Sequence, residues 1–158
     1  MHKALLISFT LLLVGACSSD NSTKAATPYK PSADIEQLMY RVLDPGADMI
    51  WLNSGWVIDK DGERELFPET DAEWQVVING ATIVAEAGNL LMMPGRVDGA
   101  DGRDESWLVY SQAIIDTGNQ LIAAAEAHDE QAIFDLGGQL YNVCRACHLK
   151  FIDMAEVD

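Results

Sequence analysis

Apolar residues recur at helical spacing in four stretches of the chain, and turn-forming residues separate them. Ile35, Leu38, Met39 and Val42 follow the i, i+3, i+4, i+7 spacing that lines one face of a helix. Pro45 interrupts this run, and Asp44 before it reads as an N-cap with proline at the first helical position, restarting the helix through Met49, Ile50 and Leu52. The pattern predicts a first helix kinked at Pro45. The stretch "TDAE" from Thr70 to Glu73 has the form of a capping box and starts a second helix, with Trp74, Val77, Ile78, Ala81 and Val84 on one side. Pro94 and Gly95 stop it after Met93. Trp107, Tyr110, Ile114, Thr117, Leu121, Ala124 and Ala125 mark a third helix. A corner at His128 and Asp129, with Asp129 as N-cap, leads into a fourth that runs through Ile133, Leu136, Leu140, Cys144, Cys147 and Phe151.

No stretch of clean alternation competes with these helices, and Asn53 to Glu69 reads as a solvated connection. Its acids Asp59, Asp61, Glu63 and Glu65 lack the full ligand spacing and closing glutamate of a calcium loop. Four helices of roughly 20 residues without strands predict an all-α fold, an antiparallel up-down-up-down four-helix bundle whose cofactor sites lie between facing helices.

The first residues change the picture of where the chain works. Lys3 precedes an apolar stretch from Ala4 to Ala16, too short for a bilayer that needs roughly 20 residues, so residues 1–16 read as a signal peptide. "LVGAC" from Leu13 to Cys17 resembles the lipobox of bacterial lipoproteins, with Val14 where leucine is favoured. The resemblance implies a lipid on Cys17, and Ser18 after it favours the outer membrane. Residues 17–32, rich in Ser, Thr, Ala, Asn and Pro, read as a flexible tether, and residues 33–158 as the helical domain.

Charge narrows the partners. The chain carries 10 basic and 25 acidic residues, a net charge of −15, and loss of residues 1–16 would take one lysine and no acid. Such acidity argues against nucleic acid and against charge-driven binding to anionic lipid head groups. It is compatible with a basic protein partner, against the plainer reading of solubility in the periplasm, and membrane contact is expected through the lipid on Cys17.

"YNVCRACHLKF", Tyr141 to Phe151, carries the candidate chemistry. Cysteines at i and i+3 with histidine at i+4 place Cys144, Cys147 and His148 on one helical face. Two thiols so placed reach the vinyl groups on one edge of a porphyrin while the imidazole turns under the ring, the pattern of c-type haem attachment. Three rivals stand beside it. A thioredoxin-like pair belongs beside a βαβ unit, at a helix start. A zinc site needs a fourth ligand, from His128 or a carboxylate. A Cys144–Cys147 disulfide suits an oxidising compartment and leaves His148 without a role. One cysteine for a lipid and two for thioethers leave none over.

A four-helix chain with Cys-x-x-Cys-His in its last helix resembles the cytochrome c-prime family and its low-spin, methionine-ligated relatives. The likeness covers roughly residues 33–155, and Phe151 matches the family's aromatic three residues after the histidine. It implies one covalent haem c on Cys144 and Cys147, with His148 as proximal iron ligand. The family's opposite axial position comes from the first helix, where Met39 is the candidate sixth ligand; Met49, Met92 and Met93 are secondary candidates. The chain departs from the family in having Ile35 where a basic residue often stands, and in its proline at residue 45. Dimerisation is an expectation carried by the resemblance alone.

Gly137 and Gly138 inside the fourth helix suggest close approach of a neighbouring helix or of the haem edge, against a merely tolerated weak spot. Arg145 and Lys150 are candidate partners of haem propionates against plain solvated charges, and the four tryptophans read as core and interface residues. No acid-base pair or nucleophile constellation points to an enzyme. The expected function is electron transfer by a periplasm-facing, lipid-anchored cytochrome with an unidentified redox partner protein. The alternatives are a five-coordinate haem protein that binds NO or CO, and a haem-free structural lipoprotein with a disulfide or zinc clip at Cys144 and Cys147.

Overall fold

Capping and proline chemistry fix the helix ends of the protein, whose computed structural model describes residues 28–94, 96 and 105–152. The expected signal peptide, Cys17 and residues 18–27 of the tether lie outside these residues. The described chain is mostly helical. Its elements are α1 (Ile35–Leu38), a π-helical segment (Met39–Leu43), α2 (Asp44–Trp51), β1 (Trp56–Asp59), β2 (Gly62–Glu65), α3 (Asp71–Leu91), α4 (Glu105–Glu126) and α5 (Glu130–Phe151). Among the described residues no helix is long and apolar enough to cross a membrane.

The first helical run is continuous through Pro45, and the reason is the π segment. Proline brings no N–H, and its ring crowds the carbonyl four residues back. The chain opens one wider turn there, with the Asp44 N–H reaching back five residues to the Met39 carbonyl. Asp44 is itself helical, at φ −60° and ψ −52°, and Leu43 before α2 makes no side-chain cap. The expected restart of the helix at an Asp44 N-cap is therefore corrected. The carboxylate that does cap this run is Asp34, which accepts the Gln37 N–H at 2.7 Å. The five-residue step of the π turn carries the buried face from Leu38 to Leu43, after which Ala47 and Ile50 continue it.

The connection from Asn53 to Glu69 is also corrected, because it holds a β-hairpin. β1 and β2 pair antiparallel, with Asp59 opposite Gly62 around a two-residue turn at Lys60 and Asp61. The Asp59 carboxylate accepts the Asp61 N–H at 2.9 Å and the Arg64 guanidinium at 3.0 Å. Gly62 takes φ +123°, a conformation that favours glycine. The hairpin is mostly exposed and is pinned by Trp56, whose ring meets Phe67 at 5.1 Å and Phe134 at 5.3 Å, edge to face. It is an appendage on an otherwise all-α core.

The starts of α3 and α5 match their expected capping signals. Thr70 Oγ accepts the Glu73 N–H at 3.3 Å, and the Glu73 carboxylate accepts the Thr70 and Glu69 N–H groups, both at 2.9 Å. Those backbone donors hold the Glu73 carboxyl below its ordinary range. Asp129 accepts the Ala132 N–H at 3.0 Å and opens α5. His128, at φ 54°, makes the corner and stacks on Trp74 at 4.7 Å.

Small residues let α3 and α4 approach closely. A Cβ added at Gly118 would stand 2.9 Å from the Ala85 Cβ, and one at Gly88 would meet the Ser111 carbonyl at 2.9 Å. Trp107 donates its indole N–H to the Leu91 carbonyl at 3.1 Å, so the paired positions run in opposite directions along the two helices. Gly80 meets Met49 and Gly46 meets Ile83 between α2 and α3. α5 joins α4 through Phe151 and Trp107, 5.2 Å apart, and α2 through Trp51. Leu38, Ile50, Val77, Val84, Leu121 and Leu140 are among the fully enclosed side chains at the centre.

Candidate haem site

α5 is unbroken from Glu130 to Phe151, so Cys144, Cys147 and His148 sit within one continuous helix and share a face. Cys147 is buried, and Cys144 and His148 are half-buried. Both cysteines are free thiols. Val143, Cys144 and Phe151 pack against the central apolar cluster. Phe151 is held edge to face by Trp107 and by Tyr110, whose ring lies 6.1 Å away. The aromatic that follows His148 by three residues therefore closes an apolar wall at this end of α5.

Burial disfavours the thiolate forms. It raises the Cys144 thiol, and it pushes Cys147 up to about 11, with the neighbouring Cys144 charge as the lesser cause. Both groups are therefore neutral thiols near pH 7. A redox-active pair gains acidity from a helix start, whereas these cysteines lie in the last turns of theirs.

The donor set on this face of α5 is two thiols and one imidazole. Among the described residues no group of three or more His, Cys, Asp or Glu side chains is placed to hold a metal ion. A c-type haem needs no such convergence, because the thiols bond to carbon and only the imidazole meets iron. His128, named beside a carboxylate as a fourth zinc ligand, stands at the opposite end of α5, roughly 30 Å from His148 at 1.5 Å rise per residue. The structure separates these two histidines rather than gathering them.

Met39 opens the π segment and is half-buried on the same apolar cluster that Cys144 and Phe151 touch. No hydrogen bond or ring contact joins it to His148. Of the secondary candidates, the Met93 sulfur accepts the Arg96 guanidinium at 3.6 Å, the Met49 Cβ lies against Gly80 of α3, and the Met92 backbone forms the C-cap of α3. Arg145 and Lys150 are exposed on α5.

The neighbour of Gly137 is Trp51, whose indole N–H donates to the Gly137 carbonyl at 3.0 Å. A Cβ at Gly137 would meet that indole at an ordinary 3.5 Å, and one at Gly138 would meet nothing within 4 Å. Trp51 neighbours Gly137 but leaves ordinary room for a Cβ, so the expectation of a close approach that demands glycine is corrected at Gly137, and Gly138 faces open space. Trp51 is the site residue that periodicity alone missed; its signal was an aromatic at the end of a helix predicted to face α5. No family model, curated protein or solved structure matches the chain.

Proposed function

We propose that the protein is a periplasm-facing, lipid-anchored c-type cytochrome that carries one covalent haem and transfers electrons. The observation that carries this reading is the placement of Cys144, Cys147 and His148 on one face of an unbroken helix, with both thiols free and an apolar wall beside them. On this reading the core is an up-down-up-down four-helix bundle, with the run from Ile35 to Trp51 as its first member. The opposed contacts of α2 with α3 and of α3 with α4 support it.

Cys144 and Cys147 would hold the haem through thioethers, and His148 would present its imidazole to the iron. When bound, the haem supplies a one-electron couple. The chain's own part is to exclude water with Phe151, Trp107 and Tyr110 and to fix the imidazole on a rigid helix. Met39 is the proposed sixth ligand. π turns concentrate at functional positions, and this one starts at the methionine in question. A six-coordinate centre suits electron transfer because little rearranges on redox change. No residue is assigned a catalytic role. The lipid on Cys17 and the tether after it would hold the domain at the membrane, with the outer membrane favoured, and a homodimer follows from the family resemblance only.

Haem staining of the denatured protein, made with a working haem-attachment system, tests this reading. Stain that stays on the polypeptide is expected, since thioether bonds survive denaturation. A colourless chain would instead favour the haem-free lipoprotein with a disulfide or zinc clip. Spectra of wild type and Met39→Ala separate the electron carrier from the five-coordinate NO or CO binder.

A further inference from the structure

The least explained feature of α5 is its pair of adjacent glycines. Glycine inside a helix costs stability, and packing requires it at neither position: Gly137 leaves ordinary room for a Cβ, and Gly138 has open space in front of it. Both lie on the floor of a groove of about 650 Å³ between α5 and the end of α2. Its aromatic walls are Trp51, Phe134 and Tyr141, the last two 42% and 57% exposed, figures that leave their rings accessible to a partner. The hairpin extends the apolar surface through Trp56, whose ring touches Phe134.

One charged side chain lines this groove, the carboxylate of Asp135. Its one recorded hydrogen bond is with the Gln131 amide at 3.0 Å, and no basic side chain pairs with it among the described residues. The hairpin that reaches Phe134 through Trp56 carries Glu63 and Glu65, and its cations Lys60 and Arg64 are paired with Asp61 and Asp59, so the exposed cation of α5 next to the groove is Arg145, one turn after Tyr141. The whole chain carries −15. Aromatic faces beside an unpaired carboxylate, in a negative field, suit a cation with a flat or apolar stem.

We propose that this groove is a docking site for an arginine- or lysine-bearing segment of a basic partner protein. The basic side chain enters over Gly138, lies against Trp51 and Tyr141, and meets the Asp135 carboxylate. Tyr141 is one helical turn before Cys144, so the partner would sit beside the proposed haem attachment. Docking itself does not depend on the haem reading.

The test measures binding of a hexa-arginine peptide to the purified full chain, followed by tryptophan fluorescence and by the salt dependence of Kd. Gly138→Leu fills the groove and Asp135→Asn removes its carboxylate; the latter is an exposed change that leaves the fold in place. Asp116→Asn is the matched control, because Asp116 also pairs with a glutamine one turn earlier, at 3.3 Å, and lies on α4. Each groove variant is expected to raise Kd about tenfold, with the control within about twofold, consistent with one cation–π and carboxylate contact. Equal weakening by Asp135→Asn and Asp116→Asn, with none by Gly138→Leu, would show that net charge alone attracts the peptide and would overturn the proposal. Equal affinity for a hexa-alanine peptide, or no binding, would overturn it as well.

Discussion

The indole N–H of Trp51 donates to the Gly137 carbonyl across 3.0 Å, and this bond sets the register between the first helical run and the last helix. Ile50, the neighbour of Trp51, also faces Gly137, its side chain 3.8 Å from where a Cβ there would stand. From that contact Met39 lies eleven residues back along one run, and His148 lies eleven residues on along the other. In the proposed up-down-up-down bundle these two steps would bring both residues toward the same level, roughly 16 Å along the axis. The bond is partly buried, and a carbonyl with two lone pairs accepts it without leaving its own helix. Trp51→Phe keeps one aromatic ring but loses the pyrrole part of the indole with its donor, so it should destabilise the fold by at least about 1 kcal/mol, read from the denaturation midpoint. An unchanged midpoint would mean that the bond does not set the register.

Two glycine-to-alanine changes should act with opposite sign. Gly138→Ala enters open space on a helix and should stabilise by up to about 1 kcal/mol. Gly118→Ala forces a Cβ to 2.9 Å from Ala85 and should destabilise by about 1–3 kcal/mol. Thermal and urea unfolding of the two variants checks both.

Glu73 should make part of the stability depend on acid. Its folded carboxyl is held low by the Glu69 and Thr70 N–H groups, so its contribution is present above the unfolded pKa and is lost as pH falls through the folded value. Glu73→Gln should therefore be less stable than wild type at neutral pH. The difference should shrink toward zero as pH falls below the usual carboxylate range. Urea midpoints across that pH series give the answer, and a difference independent of pH would contradict the assignment.

Met39→Ala tests the distal side of the proposed haem. A shift from a low-spin to a high-spin absorption spectrum, with the haem still attached, is expected if the sulfur is the sixth ligand. A low-spin spectrum that does not change would assign the position to another residue.

Much of this architecture is legible in local chemistry. Thr70 with Glu73, and Asp129, announce their helix starts because each cap is satisfied within four residues. Cys144, Cys147 and His148 are equally local, since helical spacing alone puts them on one face. Asp44 misleads for the same reason: beside a proline it looks like a cap, but buried Leu38 and Leu43 keep the chain helical through a π turn. The five-residue step between those leucines was the available signal. The hairpin hides because its strands of four residues are mostly exposed and carry no alternating apolar face. Its readable cue was the β-branched pair Val57 and Ile58 before the Lys60 and Asp61 turn and the glycine, Gly62, that follows it. Trp51 against Gly137, 86 residues apart, depends on packing that no local pattern specifies.

Membrane attachment through Cys17 is open to a direct check. Wild type grown with labelled palmitate should carry label and fractionate with membranes, and Cys17→Ser should do neither. Label retained by the variant would place the lipid elsewhere.

The central claim is that Cys144 and Cys147 carry one covalent haem, and the intact mass of the purified protein tests it most directly. Wild type made with a working haem-attachment system should exceed its polypeptide mass by one haem, and Cys144→Ser with Cys147→Ser should lose that increment. A wild-type mass equal to the polypeptide alone, apart from any lipid, would contradict the account.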